Sequence, residues 1–470
     1  MPTMPILSPL YTDFYQLTMA QGYFLSGRHE LPAQFDYFFR KNPFKGGYTV
    51  FAGLADLVEF VHEARFAQEE LEYLESQGFD RSFLAYLRHF RFDVDIESVH
   101  EGEVVFPNEP VLTVTGRLIA AQMLETVLLN TLNFQSLIAT KAARIREMAG
   151  PRMVADFGLR RAQGLGGYHA SRAAIIGGCD ATSNVLAAYE FGLKPSGTLA
   201  HSWIQSFDSE LEAFRAYATY YPDNTILLVD TYDTLRSGVP NAITVGKEMA
   251  AKGYTLKGIR LDSGDLAYLS RRARQMLDAA GLPEVNILAS NQLDELVIRS
   301  LLEQKAPLDG FGVGTQLVTG KDSAALDGVY KLSWCDGKDR MKWADNPEKQ
   351  SLPGRKLLLR YYDEEGFCYR DGVFSAQTGE EPVLYAPHQP NLFTRVHHLE
   401  GNPIREKVVE NGISTVAEKN IETIRVFCRK EVQKLPPEHR RLENPHLYKV
   451  GVGEEILKSI ATLTRQNKHQ

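Results

Sequence analysis

Four apolar runs in the middle of this 470-residue chain stop abruptly at polar or glycine residues, and a helix-like stretch follows each. They are Ile226-Leu-Leu-Val-Asp230, Gly258-Ile-Arg-Leu-Asp262, Val285-Asn-Ile-Leu-Ala-Ser290 and Gly310-Phe-Gly-Val-Gly314. Their ends, at Asp230, Asp262, Ser290 and Gly314, stand 32, 28 and 24 positions apart. That is the length of a strand plus a right-handed helical crossover, so the strands are expected to be parallel neighbours. Weaker runs occur at Met153-Val-Ala-Asp156 and Gly197-Thr-Leu-Ala200, with a possible short one near Gly177-Gly-Cys179. After Asp262 a helix carries Leu266, Leu269, Ala273, Leu277 and Ala280 on one face and is ended by Gly281 and Pro283. A second follows Asn291, with Leu293, Val297 and Leu301 in line.

Continuous apolar strands alternating with helices leave two architectures, an α/β barrel or an open doubly wound sheet. The barrel is preferred, because polar residues gather at the same end of strand after strand, whereas an open sheet concentrates them at one switch point. The first 150 residues read differently. Phe35-Asp-Tyr-Phe-Phe39, Val104-Val-Phe106 and Val111-Leu-Thr-Val114 look like strands, the last two joined by a Pro107-Asn-Glu-Pro110 turn, and Leu118 to Met148 reads as one or two helices. Beyond Tyr330 the character is mixed strand and loop. The expected division is an α+β region at 1–150, a catalytic α/β core at 151–330 and a mixed region at 331–470 packing on both. A chain this long exceeds one compact core.

Net charge is −7 and no long basic run appears, which disfavours nucleic acid or an anionic membrane as partner. Cys179, Cys335, Cys368 and Cys428 lie far apart with no Cys-x-x-Cys pair, so a disulfide framework or a zinc knuckle is not expected and a reducing compartment fits. Met1-Pro-Thr-Met-Pro-Ile-Leu7 lacks the cationic and apolar regions of a signal peptide, and no apolar run is long enough to cross a bilayer. A cytosolic protein is expected.

The polar groups at the strand ends are Asp156, Asp180, His201, Asp230, Asp233, Arg260, Asp262, Asp265, Asn291, Gly314 and Thr315. If the strands are parallel, these face one mouth, where loops can vary without disturbing the core. Any one aspartate there reads equally as a helix N-cap. Caps do not require an arginine and a histidine in the same ring. In Gly312-Val-Gly314-Thr315 the glycines would let backbone N–H groups approach an anion, though tight turns use glycine too. His201 lies beyond one expected strand and before a helix expected to begin near Asp208. A nucleophilic histidine needs an accessible ring nitrogen and a carboxylate to fix its tautomer, which Asp230 or Asp233 could supply. Tyr15 and Phe157 stand near charged residues and could hold a flat heteroaromatic acid between two rings.

These segments resemble the nicotinate phosphoribosyltransferase family. The matching stretches are Leu10-Tyr-Thr-Asp-Phe-Tyr-Gln-Leu-Thr-Met19, Asp156-Phe-Gly-Leu-Arg-Arg-Ala-Gln163, Gly177-Gly-Cys-Asp-Ala-Thr-Ser-Asn184, Gly197-Thr-Leu-Ala-His-Ser202, Arg260-Leu-Asp-Ser-Gly-Asp265, Ser290-Asn291 and Gly312-Val-Gly-Thr315. The resemblance implies an irregular α/β barrel, an α+β domain built from the terminal regions, and a homodimer. It implies that Phe157 and Tyr15 sandwich a pyridine ring, Tyr15 coming from the partner subunit, with Asp180, Thr198 and Arg260 at the nicotinate. Arg160, Asn291, Gly314 and Thr315 would bind the phosphoribosyl part, Asp262 the ribose hydroxyls. His201 would be phosphorylated by ATP and Asp230 would orient it. Ser351-Leu-Pro-Gly-Arg-Lys356 matches a family landmark with a possible phosphate role.

The implied reaction consumes nicotinate, phosphoribosyl pyrophosphate and ATP, with Mg²⁺ riding on the pyrophosphate and no dedicated protein metal site. Three rivals stay open at this level: the nicotinamide-using relative, a metal-dependent barrel hydrolase or isomerase using the aspartates as ligands, and an inactive binding protein on the same fold.

Overall fold

The computed structural model describes residues 8–344, 346, 349–387, 389–417 and 419–467. Residues 1–7, where the sequence lacks signal-peptide character, lie outside the described residues. The chain divides into two compact units, one formed by Ile138–Ala324 and one by the two terminal regions, Met1–Leu137 with Ala325–Gln470.

The Ile138–Ala324 unit is built on a six-stranded sheet in which every pairing is parallel. Its order is Ala181–Thr182, Met153–Asp156, Gly310–Val313, Asn286–Ser290, Gly258–Leu261, Ile226–Leu228. The strands are short; Leu227 and Leu228 are buried, and Ile259 and Leu261, Ile287 and Ala289, and Phe311 and Val313 are buried at alternate positions and so share one covered face, while Arg260 and Leu288 between them are partly buried. Crossover helices pack between them. The Leu266–Ala279 helix starts where the Asp265 carboxylate accepts from the Tyr268 N–H, and buries Ala267, Ser270, Ala273 and Leu277. The Glu295–Glu303 helix is capped by Asp294 and buries Glu295, Ile298 and Leu301. Val297, expected on the inner face, is exposed, because a buried Glu295 sets the helix phase.

Three local expectations change. Gly177-Gly-Cys179 is the turn ending the Gly166–Ile176 helix, with Gly178 at φ +114, and the strand comes later at Ala181–Thr182. Gly197-Thr-Leu-Ala200 is not a strand; the chain there makes a lone parallel bridge, Pro195 to Thr182, and a Ser196 N–H bond to the Thr182 carbonyl. Proline has no N–H to extend such a ladder. The helix expected near Asp208 is two helices, His201–Gln205 and a Ser209-capped Glu210–Tyr220.

The barrel is not closed by backbone pairing. Among the described residues no ladder joins Ala181–Thr182 to Ile226–Leu228, and the sheet has two edges. The segment from Pro195 to His201 runs between them. It starts on the Thr182 edge and ends with Thr198 bonded to Arg260 and His201 beside Asp230.

The terminal unit is α+β. Its seven-stranded antiparallel sheet has the order Lys338–Asp339, Gly328–Cys335, Pro32–Phe39, Leu112–Arg117, Asp95–Ser98, Glu406–Glu410, Ile413–Ser414. Residues from both ends of the chain thus share one sheet. A boundary at 330/331 would cut the Gly328–Cys335 strand at Tyr330, whose ring stacks on Phe35 and whose hydroxyl donates to the Ala121 carbonyl. The Pro107–Pro110 turn connects two sheets instead of closing a hairpin, since Val104–Val105 pairs with Thr49–Val50. Lys356 is buried; its ammonium pairs with Asp36 at 2.7 Å and donates to the Leu352 carbonyl at 3.1 Å. Those bonds tie Lys356 inside the terminal unit.

One ion triplet inside the Ile138–Ala324 unit is testable. Glu295 is buried with Lys141 at 2.8 Å and Arg144 at 2.9 Å, both on the Glu125–Ala149 helix. Burial pushes its carboxyl up, but the two cations and the Lys141 hydrogen bond outweigh that and hold it below its ordinary 4.5. A pKa depressed on folding contributes stability above the unfolded value and loses it as pH falls. Urea denaturation from about pH 7 down to about pH 3 is expected to show that loss, and Glu295→Gln to remove it while costing about 3–5 kcal/mol at neutral pH, because two buried cations lose the carboxylate they share. A Glu295→Gln variant of unchanged stability would refute this account.

Candidate active site

In a parallel sheet every strand delivers its C-terminal end to the same rim, so the residues just after the strands share a mouth. Asp230 follows Ile226–Leu228, Asp262 and Ser263 follow Gly258–Leu261, Asn291 follows Asn286–Ser290, Gly314 and Thr315 follow Gly310–Val313, and Phe157 follows Met153–Asp156.

The Asp230 side chain is 1% exposed and is held from two sides. Its Oδ2 accepts from the Asp262 N–H at 2.8 Å and from the Ser263 hydroxyl at 2.6 Å. Its Oδ1 lies 3.4 Å from His201 Nε2 and has no other polar partner. His201 is the first residue of its helix and is 40% exposed, which leaves Nδ1 as the other ring nitrogen. Asp262 in turn accepts a short hydrogen bond from the Ser290 hydroxyl of the neighbouring strand.

Arg260 is the inward-facing residue of the Gly258–Leu261 strand. It donates to the Thr198 hydroxyl and, at 3.2 Å, to the Leu199 carbonyl, so it clasps the segment that carries His201. Burial lowers its pKa while Asp262 and Asp230 oppose that, keeping a guanidinium beside two carboxylates. Arg260 Nε, Thr231 Oγ1 and Asp230 Oδ1 are all buried without a hydrogen-bond partner. Buried polar atoms rarely go unpaired, and three around one rim mark a place shaped for a polar ligand.

On the other side of the rim, the Phe157 ring packs against Gly312. A Cβ at Gly312 would come within 2.4 Å of the Phe157 ring, and the Phe157 N–H donates to the Val313 carbonyl at 2.8 Å. Gly312 is therefore a glycine because an aromatic ring occupies its side-chain space, a reason the sequence alone did not supply. Gly314 has φ −115 and ψ −104 and faces the Phe157 carbonyl. The loop is held from beneath by Asp156, whose carboxylate accepts from Gly158 N–H, Ser171 and Thr182 at 2.7–2.8 Å. Burial raises the Asp156 pKa against those three donors. Asp156 is a fastener of the loop. Asn291 and Gln292 both take positive φ, +79 and +49, a strain that two non-glycine residues rarely bear outside a functional turn.

These two groups are continuous, since Ser290 pairs with Gly312 across adjacent strands. The structure thus brings together Phe157, Thr198, His201, Asp230, Arg260, Asp262 and Gly314, with Thr315 and Asn291 on the same rim. Asp233 caps the turn that precedes the Val239–Ala251 helix and is not the histidine's partner. Arg160 is exposed on the Leu159–Arg161 turn. Asp180 departs from expectation: it precedes its strand instead of following it, and its carboxylate is taken by Arg146 and the Val154 N–H. It belongs to the opposite end of the sheet from Phe157, so the pyridine role is withdrawn. Tyr15 lies in the terminal unit on the Phe14–Leu25 helix, 47% exposed. Sequence reasoning did not single out Ser263 and Ser290, although Ser263 lies within the Arg260–Asp265 motif and Ser290 in Ser290-Asn291.

Among the described residues no group of three or more acidic, histidine or cysteine side chains could hold a metal ion, and no helix is long and apolar enough to cross a membrane.

A parallel α/β sheet whose rim carries a carboxylate-backed histidine, a buried arginine and a glycine loop under an aromatic ring defines an enzyme of the α/β class. Three family models cover the chain: the nicotinate phosphoribosyltransferase N-terminal domain at residues 10–133, the family's central region at 153–374 and its C-terminal domain at 355–459. The chain belongs to the nicotinate phosphoribosyltransferase family. It is 42% identical to the nicotinate phosphoribosyltransferase of Bacillus subtilis, with 95% of this chain and 93% of that protein covered. It is 41% identical to nicotinate phosphoribosyltransferase pncB2 of Mycobacterium tuberculosis, covering 97% and 93%. The solved human nicotinic acid phosphoribosyltransferase matches with a TM-score of 0.87 and 31% identity over 96% of this chain and 99% of that one.

The contact between Gly312 and Phe157 is the simplest part of the rim to test. Gly312→Ala is expected to displace the ring and cost about 1–3 kcal/mol by overpacking. Thermal denaturation and the variant's crystal structure check it; an unmoved ring with unchanged stability would contradict the role given to Gly312.

Proposed function

We propose that this chain joins nicotinate to phosphoribosyl pyrophosphate, forming nicotinate mononucleotide and pyrophosphate, and couples the reaction to ATP through a phosphorylated His201. The observation that carries the reading is the buried Asp230 carboxylate with one otherwise unpartnered oxygen 3.4 Å from His201 Nε2. A carboxylate there fixes the imidazole tautomer with hydrogen on Nε2, so Nδ1 holds the lone pair that attacks the γ-phosphorus as ADP departs. Water later cleaves the phosphohistidine, releasing phosphate.

In the transfer step the pyridine nitrogen already carries a lone pair, so no general base is needed. The bond from ribose C1 to nitrogen forms as the bond from C1 to the pyrophosphate oxygen breaks, and pyrophosphate leaves with the electron pair. What accelerates this is fixed charge around an oxocarbenium-like sugar. Asp262 is assigned to the ribose hydroxyls, with Ser290 holding one of its oxygens. Arg160, Asn291, Gly314 and Thr315 are assigned to the phosphoribosyl group. Thr198 and Arg260 are assigned to the nicotinate; Arg260 spends two of its five N–H groups on Thr198 and Leu199 and keeps three for a carboxylate. Phe157 forms one wall of the ring site, and Tyr15 of a second copy forms the other, which makes the homodimer part of the reading.

Mg²⁺ would be held at this rim by the Asp262 carboxylate together with the substrates, and would supply charge neutralisation. When bound it neutralises the departing pyrophosphate. The sheet with its Pro195–His201 strap is read as an irregular barrel closed by side chains, and the enzyme as a cytoplasmic one.

The test is incubation with γ-labelled ATP, looking for an acid-labile, base-stable phosphoenzyme, in wild type and His201→Ala. The variant is expected to lose the label and the ATP stimulation while retaining slow transfer. Label retained in His201→Ala would move the phosphorylation elsewhere. In competition, nicotinate is expected to be consumed ahead of nicotinamide; the reverse preference would overturn the substrate assignment.

A further inference from the structure

The Asp230 carboxylate is oriented by two donors on one oxygen, and they come from consecutive residues. The Asp262 N–H and the Ser263 hydroxyl both reach Oδ2, at 2.8 and 2.6 Å. The backbone donor cannot by itself set the rotation of the carboxylate about its own axis, because one hydrogen bond leaves that torsion soft. The second donor, arriving from a different direction, stops it. With Oδ2 pinned, Oδ1 is turned to His201 Nε2 and has nothing else to bind. The same dipeptide carries the Asp262 side chain, whose carboxylate is held by Ser290 on the next strand. One peptide therefore bonds the carboxylate behind the histidine through its N–H and presents the ribose-facing carboxylate through its side chain.

We propose that Ser263 is a positioning residue that locks Asp230 onto the Asp262–Ser263 turn, so that phosphorylation of His201 and the placement of Asp262 at the sugar are mechanically tied. The inference rests on the reading of His201 as the phosphorylated residue and deepens it. Ser263 is exposed and needs no contact with nicotinate, phosphoribosyl pyrophosphate or ATP to act in this way. Its effect is on the angle of the carboxylate: on this exposed side water can refill the lone pair, but a water is not fixed to the Asp262–Ser263 turn as the hydroxyl is. Hydrogen bonds to a carboxylate are among those whose loss is felt most.

The experiment compares wild type, Ser263→Ala and Ser263→Thr in the full-length enzyme. Two quantities are read: the rate of phosphoenzyme formation from γ-labelled ATP, and the ATP hydrolysed per nicotinate mononucleotide formed. Ser263→Ala is expected to slow phosphorylation about tenfold and to raise the ATP consumed per product, with the nicotinate KM within about twofold of wild type. Ser263→Thr keeps the hydroxyl and is expected to restore both quantities to within about twofold. A thermal midpoint within about 2 °C for both variants separates positioning from a folding defect. Wild-type phosphorylation and wild-type stoichiometry in Ser263→Ala would overturn the proposal, as would a Ser263→Thr enzyme as impaired as Ser263→Ala. Absence of any phosphoenzyme in wild type would instead sink the His201 reading, and this inference with it.

Discussion

The middle unit depends on a buried carboxylate that cannot be left alone. Asp230 sits at 1% exposure, where an ionised group is tolerated when its lone pairs are met. Oδ2 is met from the Asp262–Ser263 turn and Oδ1 is faced by His201. The carboxylate thus organises two neighbouring strand ends and the start of a helix at once. The geometry of the histidine and that of the Asp262 turn are therefore parts of one arrangement.

That arrangement needs the chain from Pro195 to His201 to lie over the rim, and backbone pairing does not put it there. The strap leaves the sheet after a lone bridge at Thr182 and is then caught by Arg260, which bonds Thr198 and the Leu199 carbonyl. Arg260 consequently has two loyalties. It supports the residues just ahead of His201, and in the proposed reaction it meets the carboxylate of the pyridine substrate.

Buried ion pairs recur elsewhere. In the terminal unit Arg360 is fully buried, bonded to Asp371 through both oxygens, to Glu103 at 2.6 Å and to the Val104 carbonyl at 2.8 Å. Lys356 is pulled down in pKa by burial and up by Asp36. Each ties a strand from residues beyond 325 to one from the first 137, so the terminal halves find each other by matched charge as well as by the apolar faces around Phe35 and Tyr330.

The sequence by itself determined the parallel sheet, because β-branched runs with helical spacers of fixed length have few other ways to pair, and it determined that polar groups would collect at the strand ends. It also marked His201, Asp230, Arg260 and Asp262, since an imidazole and a guanidinium among aspartates exceed what helix capping requires. Tertiary structure alone decided the rest. Asp180 and Asp156 look like rim residues on the page, yet one precedes its strand and binds Arg146, and the other is spent on Gly158, Ser171 and Thr182. Gly312 reads as a phosphate-loop glycine until the Phe157 ring is seen to fill its side-chain space. The helix opening at His201, the strap in place of a closing strand, and the sharing of one sheet by both chain ends are long-range contacts. Local periodicity cannot encode them, because each is chosen by a partner 29 to 302 residues away in the chain.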